Sequence, residues 1–480
     1  MLVLGGDGGY QRGPVIRIAL LGISIGWLFV AACAHLPPTV DGPRPQHQTL
    51  IIALDGIPYA LVKKMKDEGH FAGFQPPSKA ISTFPSTTTS ALGAMFRPVG
   101  ADQPLGYDRE YYSREKKKVA NVFSTLFHDS PTEFKNFFDY YRKSPFQKFW
   151  IYAAPGMSGR RDLEYIRTLV RKRPARRYYL TYIGGTDGAG HVLGEKRIRR
   201  WLIFMDRFLQ KMRVDYVKQY GRELEIVLFS DHGFYYITKP NAVSKVGLTQ
   251  KLRRLGLTFS NNLKHPGHVI AIEWGNISGA NFYAESAYVP EISEIIARLD
   301  GVDLVTYPLE EKIKILAYRG DHGESAEISC DSGRLRCRYH PLSGDPLRYA
   351  GVLDKLRRAG RLDRNGFASS KDWFEETKDL EYPDALYRLH DAFFTLVQNP
   401  ASILMSTKRD YEYGDVLTRV GAWLHGGLKG THGGLFQESS DAVLMTTDAE
   451  RRFPSALRYD QVMSEILNGD LQAFKRMKGL

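Results

Sequence analysis

Three runs almost free of polar side chains, at positions 50–54 (LIIAL), 178–183 (YYLTYI) and 226–229 (IVLF), do most to limit what this chain can fold into. Short runs that do not alternate between polar and apolar residues fit strands covered on both faces, as in a parallel sheet with helices on either side. Amphipathic segments separate the runs, which gives the strand-helix alternation of an α/β protein: a mostly parallel sheet sandwiched by helices. Each run stops at an acid. Asp55 follows the first, Asp187 follows the second after Gly184-Gly185-Thr186, and Asp231 follows the third after Ser230. Functional groups in open α/β sheets gather at the carboxyl ends of strands, so these three aspartates are expected to meet.

Histidines accompany them. Asp187 and His191 lie four residues apart in TDGAGH, on one side of a helical turn, Asp231 and His232 are adjacent in SDHG, and His432 lies in GTHGG. One histidine alone is ordinarily structural; three in glycine-flanked loops, beside three aspartates, read as a binuclear metal centre. Oxygen and imidazole donors without thiolate suit two zinc ions (Zn2+), with manganese, cobalt or iron as substitutes. Paired ions roughly 4 Å apart clamp the attacking and leaving oxygens of a displacement at phosphorus. Thr83, at the start of TFPS, offers the nucleophilic hydroxyl against the second ion, with Ser86 and Thr87 as the alternatives. A helix expected to open at Ser86 would turn its amide-rich end toward a phosphate.

The order Asp, Thr, Asp-x-x-x-His, Asp-His, His resembles the alkaline phosphatase superfamily, and within it the nucleotide pyrophosphatase and type I phosphodiesterase branch, over about positions 50–444. The resemblance implies an alkaline-phosphatase-like fold with a smaller α+β cap insertion. It further implies that Asp187, His191 and His432 hold one zinc, that Asp55, Asp231 and His232 hold the other, and that Thr83 is the catalytic nucleophile. Sulfatases of the same superfamily carry Cys or Ser at the nucleophile and Arg four residues on, whereas this chain has Thr83 and Thr87, which argues against sulfate ester hydrolysis. Where nucleotide pyrophosphatases place an Asn after a Leu-Gly pair, Leu105-Gly106 is followed by Tyr107. Its phenol reads either as an oxyanion donor or as a pocket wall.

The formal charge of +13, with basic runs at 114–118 and 196–200, favours anions such as phosphate substrates or anionic lipid headgroups. No zinc-knuckle, RRM or aromatic-basic array accompanies it, and no nucleic acid is expected. Arg12 and Arg17 precede an apolar run at 18–32, the length of a secretory signal, ending in Val30-Ala31-Ala32-Cys33. That ending resembles the bacterial lipobox, which makes Cys33 a lipidation site and residues 1–33 a lipoprotein signal; an uncleaved anchor helix is the other reading. Either places the bulk in the bacterial cell envelope, facing the periplasm and anchored by lipid at the membrane, with Ala34 favouring the outer membrane. Residues 34–48 read as a tether, 49–255 as the first part of the catalytic core, 256–345 as the cap-like insertion and 346–480 as the second part. Cys330 and Cys337 are a disulfide candidate, a hairpin staple of about 2 kcal/mol, or else free thiols.

The expected function is a metal-dependent phosphodiesterase or nucleotide pyrophosphatase-like hydrolase acting on a small-molecule phosphate ester or a phosphorylated lipid or glycan. Diesters are favoured because Arg160 and Arg161 read as a helix face and no other cluster suits a doubly charged phosphoryl group. The alternatives are a phosphomonoesterase, a phospho-headgroup transferase, and a non-catalytic envelope lipoprotein that binds phosphorylated ligands. Asp321, His322 and Glu324 read as polar hairpin residues and not as a third metal site.

Overall fold

The computed structural model describes residues 43–120, 134–141, 159–237, 244–245, 253–254, 256–272, 276–331, 333, 335–414 and 426–478. The apolar runs are strands of a six-stranded central sheet: β1 (Thr49–Leu54), β2 (Ser78–Ile81), β3 (Tyr178–Ile183), β4 (Glu225–Ser230), β5 (Asp441–Thr446) and β6 (Ala456–Arg458). Their order is β6-β2-β5-β4-β1-β3. β1 is parallel to β3 and β4, and β2 to β6; only β5, inserted between β2 and β4, runs antiparallel to its neighbours. Every residue of β1 and β3 is buried, as their lack of alternation requires.

Helices close over the sheet. Ala91, Leu92, Met95 and Phe96 of α1 (Thr88–Phe96) share a core with Ile51, Ala53, Leu180, Tyr182, Val227 and Phe229 of the strands. Removing each large apolar side chain from water contributes roughly 1.5–3 kcal/mol, so this seam fixes α1 firmly under the loops that precede it. Helix α2 (Gly159–Lys172) packs on β3, and α3 (Gly185–Leu193) leads through Gly194 into the 26-residue α4 (Glu195–Tyr220). Among the described residues, no helix is long and apolar enough to cross a membrane.

A second, nine-stranded sheet is built mainly from antiparallel neighbours. It holds His268–Ile272, Gly279–Tyr283, Val302–Leu309 and Lys312–Arg319, extends through His322–Cys330 and Arg336–Ser343, and takes Ile403–Thr407 between Val302–Leu309 and Gly279–Tyr283. The helix Val289–Ala297 packs on Val302–Leu309, while α5 (Ala385–Phe394) shares a core with Phe84 and Tyr107. Cys330 and Cys337 face one another in register on adjacent strands and are joined by a disulfide. Asp321, His322 and Glu324 belong to the turn and strand after Lys312–Arg319. Cys33 and the proposed signal lie outside the described residues, as does the tether up to residue 42.

Candidate metal centre

Strand register brings the acids together. Leu54, the last residue of β1, is level with Ile183 of β3 and Ser230 of β4, so the chain leaves all three strands at one edge. Asp55 and Asp231 are the next residues out, and Asp187 sits in the first turn of α3. Asp231 Oδ1 accepts the amides of Gly56 (2.9 Å) and His232 (3.0 Å), which turns Oδ2 into the site without a hydrogen-bond partner. Asp55 accepts from the Tyr182 hydroxyl and, at 3.3 Å, from Thr88 Oγ1. Gly56 makes the crowding possible: at φ +63° a Cβ there would stand 3.0 Å from the Phe234 ring and 3.2 Å from His232 Cε1.

All three imidazoles are oriented the same way. Nδ1 lies 2.9 Å from a main-chain carbonyl in each: Gly430 for His191, Gly233 for His232 and Ser86 for His432. A carbonyl only accepts, so Nδ1 must carry the proton, and Nε2 is left to face the aspartates. His191 Nε2 and His432 Nε2 stand 3.2 and 3.3 Å from Asp187 Oδ1, and His232 Nε2 lies 3.6 Å from both Asp55 Oδ1 and Asp231 Oδ2. The rings of His232 and His432 stack at 4.0 Å.

The electrostatics call for a cation. Burial, with Asp231 and Asp187 close by, holds Asp55 well above the usual carboxylate range. Burial also opposes charge on Asp187, yet His191 and His432 hold it well below that range. Burial pushes His232 down to about 4, so the ring is neutral at pH 7 and its Nε2 is a lone pair turned toward two carboxylate oxygens. Acceptors facing acceptors in a buried site are costly, and Asp187 Oδ1, Asp231 Oδ2 and His232 Nε2 are all buried without a hydrogen-bond partner. A divalent ion satisfies them together, so the donor set fits zinc. Two groups have ligand atoms within 4.8 Å of one another: Asp187, His232 and His432, and Asp55, Asp231 and His232. His232 therefore faces both, while His191 joins through Asp187 Oδ1, which differs in detail from the partition that the motif resemblance implies.

The threonine turn is tied into this centre on both sides. Ser82 Oγ donates to Asp231 O at 2.8 Å, and Ser86 O receives His432. Between them Thr83 is buried, its Oγ1 donating to Pro85 O at 3.2 Å, within its own turn. Ser86 Oγ is engaged with the carbonyls of Thr83 and Gly434, and Thr87 Oγ1 with that of Tyr107 at 2.5 Å, so the two alternative hydroxyls point into the scaffold.

Tyr107 requires a correction. Its phenol is fully buried, donates to Ala392 O at 2.7 Å and accepts the amide of Ala401 at 3.3 Å, which leaves no proton for an oxyanion. Its aromatic bulk is drawn into the core shared with α5, and what it offers the site is a carbonyl that anchors Thr87 and Ser90 at the start of α1.

Two participants have no site role assigned from the sequence. Thr88 touches Asp55, and nothing in the run of hydroxyl residues distinguishes it. Arg388, on α5, is buried and donates to Thr83 O (3.1 Å), Ser440 Oγ (2.7 Å), Leu435 O (2.9 Å) and Pro383 O (3.1 Å); burial lowers its pKa to about 10, so it stays a cation. Its sequence signal was there: a lone Arg in phase with the buried Ala385, Leu389 and Ala392 of an amphipathic helix.

Solved structures similar to this chain include nucleotide-processing and phosphonate-processing enzymes. Human ectonucleotide pyrophosphatase/phosphodiesterase 5 is 10% identical at a TM-score of 0.48, covering 89% of this chain and 95% of its own. Its murine counterpart, as an inactive variant in complex with AMP, is 10% identical at 0.45, with coverage of 89% and 95%. Phosphonoacetate hydrolase from Sinorhizobium meliloti, in complex with phosphonoformate, is 15% identical at 0.48, with coverage of 91% and 96%. No family model and no curated protein matches the chain.

Proposed function

We propose that this chain is a metal-dependent phosphoric ester hydrolase of the phosphodiesterase or nucleotide pyrophosphatase type, with two zinc ions and Thr83 as its nucleophile. One observation carries the reading: three imidazoles, each held at Nδ1 by a main-chain carbonyl, turn Nε2 toward three aspartates, two of which, Asp187 and Asp231, keep a buried oxygen without a hydrogen-bond partner, beside a threonine turn bonded to two of the ligand residues. Asp187, His191 and His432 would hold one ion and Asp55, Asp231 and His232 the other. Bound ions supply charge stabilisation to oxygens on phosphorus and favour the alkoxide of a nearby hydroxyl.

Thr83 Oγ forms the bond to phosphorus and gives up its proton, the bond from phosphorus to the leaving oxygen breaks, and that oxygen departs as the alcohol carrying the proton. Water then displaces the threonine oxygen from the phosphothreonine, its hydroxyl staying on phosphorus and its proton restoring the Thr83 hydroxyl. Ser82 and Ser86 hold the turn in place through Asp231 O and Thr83 O, and Arg388 fixes the Thr83 carbonyl from below. Diesters are the proposed substrates: no Lys or Arg among the described residues pairs with the three aspartates, and Arg160 and Arg161 are exposed on α2, with Arg160 over the Phe204 ring. The natural ester is a small-molecule phosphate or a phosphorylated lipid or glycan, met in the bacterial envelope by a periplasm-facing protein anchored through Cys33, at the outer membrane by preference.

The test combines metal analysis of the purified protein with hydrolysis of an aryl phosphodiester and an aryl phosphomonoester by wild type and Thr83→Ala, with and without chelator. The reading expects bound zinc, chelator-sensitive diester cleavage and loss of that cleavage in Thr83→Ala. Retained activity in Thr83→Ala removes the nucleophile, and a protein that holds no metal removes the centre.

A further inference from the structure

Helix α4 carries a feature that hydrolysis leaves unused. Lys196, Arg200, Arg207, Lys211 and Lys218 are spaced i, i+4, i+11, i+15 and i+22, which the 3.6-residue period places on one stripe. All five are exposed, and at 1.5 Å per residue the stripe is roughly 33 Å long. The opposite stripe, Ile198, Leu202, Met205, Leu209, Met212 and Tyr216, is buried. Of the five cations only Lys211 has an ion pair among the described residues, with Asp215 at 3.2 Å. Apolar side chains lie among them: Val214 is 52% exposed and Ile203 is half-buried. Helix α2 packs alongside, and its Arg160 and Arg167 lie over the rings of Phe204 and Phe208, each at 5.6 Å.

We propose that the joint outer face of α2 and α4 docks on an anionic phospholipid bilayer. Cations would meet headgroup phosphates while Val214 and Ile203 enter the headgroup boundary. Single-stranded nucleic acid needs open aromatic faces for base stacking, but Phe204 and Phe208 are covered by guanidiniums. The apolar run at 18–32 makes a bilayer the polyanion that the chain is addressed to. α4 follows directly on α3, which carries Asp187 and His191, so the Lys196 end of the stripe lies five residues along the chain from His191. This inference stands apart from the hydrolase reading.

The full-length protein is sedimented with vesicles of phosphatidylcholine alone or with added phosphatidylglycerol, and the ratio of the two partition constants is the readout, which cancels binding through any N-terminal anchor. Wild type is expected to prefer the anionic vesicles, and to do so less as salt rises. The combined Lys196→Glu, Arg200→Glu, Arg207→Glu and Lys211→Glu variant should lose at least about 600-fold in that ratio, since each of the four juxtamembrane cations is worth about fivefold. The glutamine version of the same four, kept in case the reversal impairs folding as read by circular dichroism, carries the same direction. An equal reversal on another surface, at Lys355, Arg357, Arg358 and Lys371, should change the ratio by no more than about twofold. Unchanged partition of the α4 variants, equal loss in the second set, or tighter wild-type binding to duplex DNA than to the anionic vesicles at the same salt would each overturn the proposal.

Discussion

The Nδ1–H of His432 donates to the main-chain carbonyl of Ser86 at 2.9 Å, so the ring that faces Asp187 with one nitrogen holds the Thr83 turn with the other. Metal affinity and nucleophile position are therefore expected to fail together. His432→Ala should weaken zinc binding by at least the ~10–100-fold that follows disturbance of a ligand's support, with a parallel loss of diester cleavage. Calorimetric titration of zinc into the stripped protein checks the first, and metal-saturated turnover the second. A variant that binds zinc normally would show that the ring serves the turn alone.

The hydroxyl assignments separate by substitution. Thr83→Ala should lower diester turnover at least about a thousandfold, or on the order of 4 kcal/mol of barrier. Thr88→Ala removes one hydrogen bond to Asp55 and should lose no more than about tenfold, in line with a net ~0.5–1.5 kcal/mol. If the two magnitudes were exchanged, the reacting oxygen would be that of Thr88.

Removal of the buried Arg388 cation strands the carbonyls of Thr83, Leu435 and Pro383 and the hydroxyl oxygen of Ser440. Arg388→Met should destabilise by about 3 kcal/mol or more, because each buried acceptor left without its donor costs about 1–3 kcal/mol. Arg388→Lys keeps the charge but lacks the forked geometry, and should recover only part of that loss. Urea unfolding of metal-loaded protein measures both.

Asp441 supplies a pH dependence. Burial pushes its carboxyl up to about 7, against an unfolded value of about 4, despite Lys79 at 3.3 Å. Between those values the folded chain holds a proton that the unfolded chain has lost, so this group makes stability decline as pH rises from about 4 to about 7, with no further decline above. Asp441→Asn should flatten that part of the stability profile in urea titrations at successive pH values. A slope equal to that of wild type would assign the dependence elsewhere.

Gly56 packs directly against a histidine of the centre. Gly56→Ala combines a left-handed backbone with a Cβ 3.0 Å from Phe234 and 3.2 Å from His232, and the imidazole that must yield is one of the proposed zinc ligands. The expectation is a loss of roughly 1–3 kcal/mol of stability together with weakened zinc binding. Thermal unfolding with and without zinc reports both effects.

The central sheet was legible because strands covered on both sides have no polar alternation to hide them, and because their carboxyl ends carry the aspartates. The three histidines were legible for a related reason, since glycine-flanked loops give an imidazole little structural employment. What the sequence could not display was direction. Tyr107 follows Leu-Gly at the position where the resemblance suggests an oxyanion donor, yet the energy of burying a large ring outweighed that analogy and turned it into the core beside α5. Similarly, Arg388 looks like any surface Arg until the helix phase is compared with the buried positions beside it. The antiparallel entry of β5 between β2 and β4 depends on a long-range return of the chain that no local pattern records.

The amide of Ser278, at the threshold of the strand Gly279–Tyr283, donates to His432 O at 2.7 Å, and Ser278 Oγ reaches Thr431 at 3.2 Å. The main chain of His432 is thus moored to the nine-stranded sheet while its ring faces Asp187. Exchanging that sheet wholesale would drag the imidazole along, whereas changes confined to side chains on its distant strands would leave the ring where it stands.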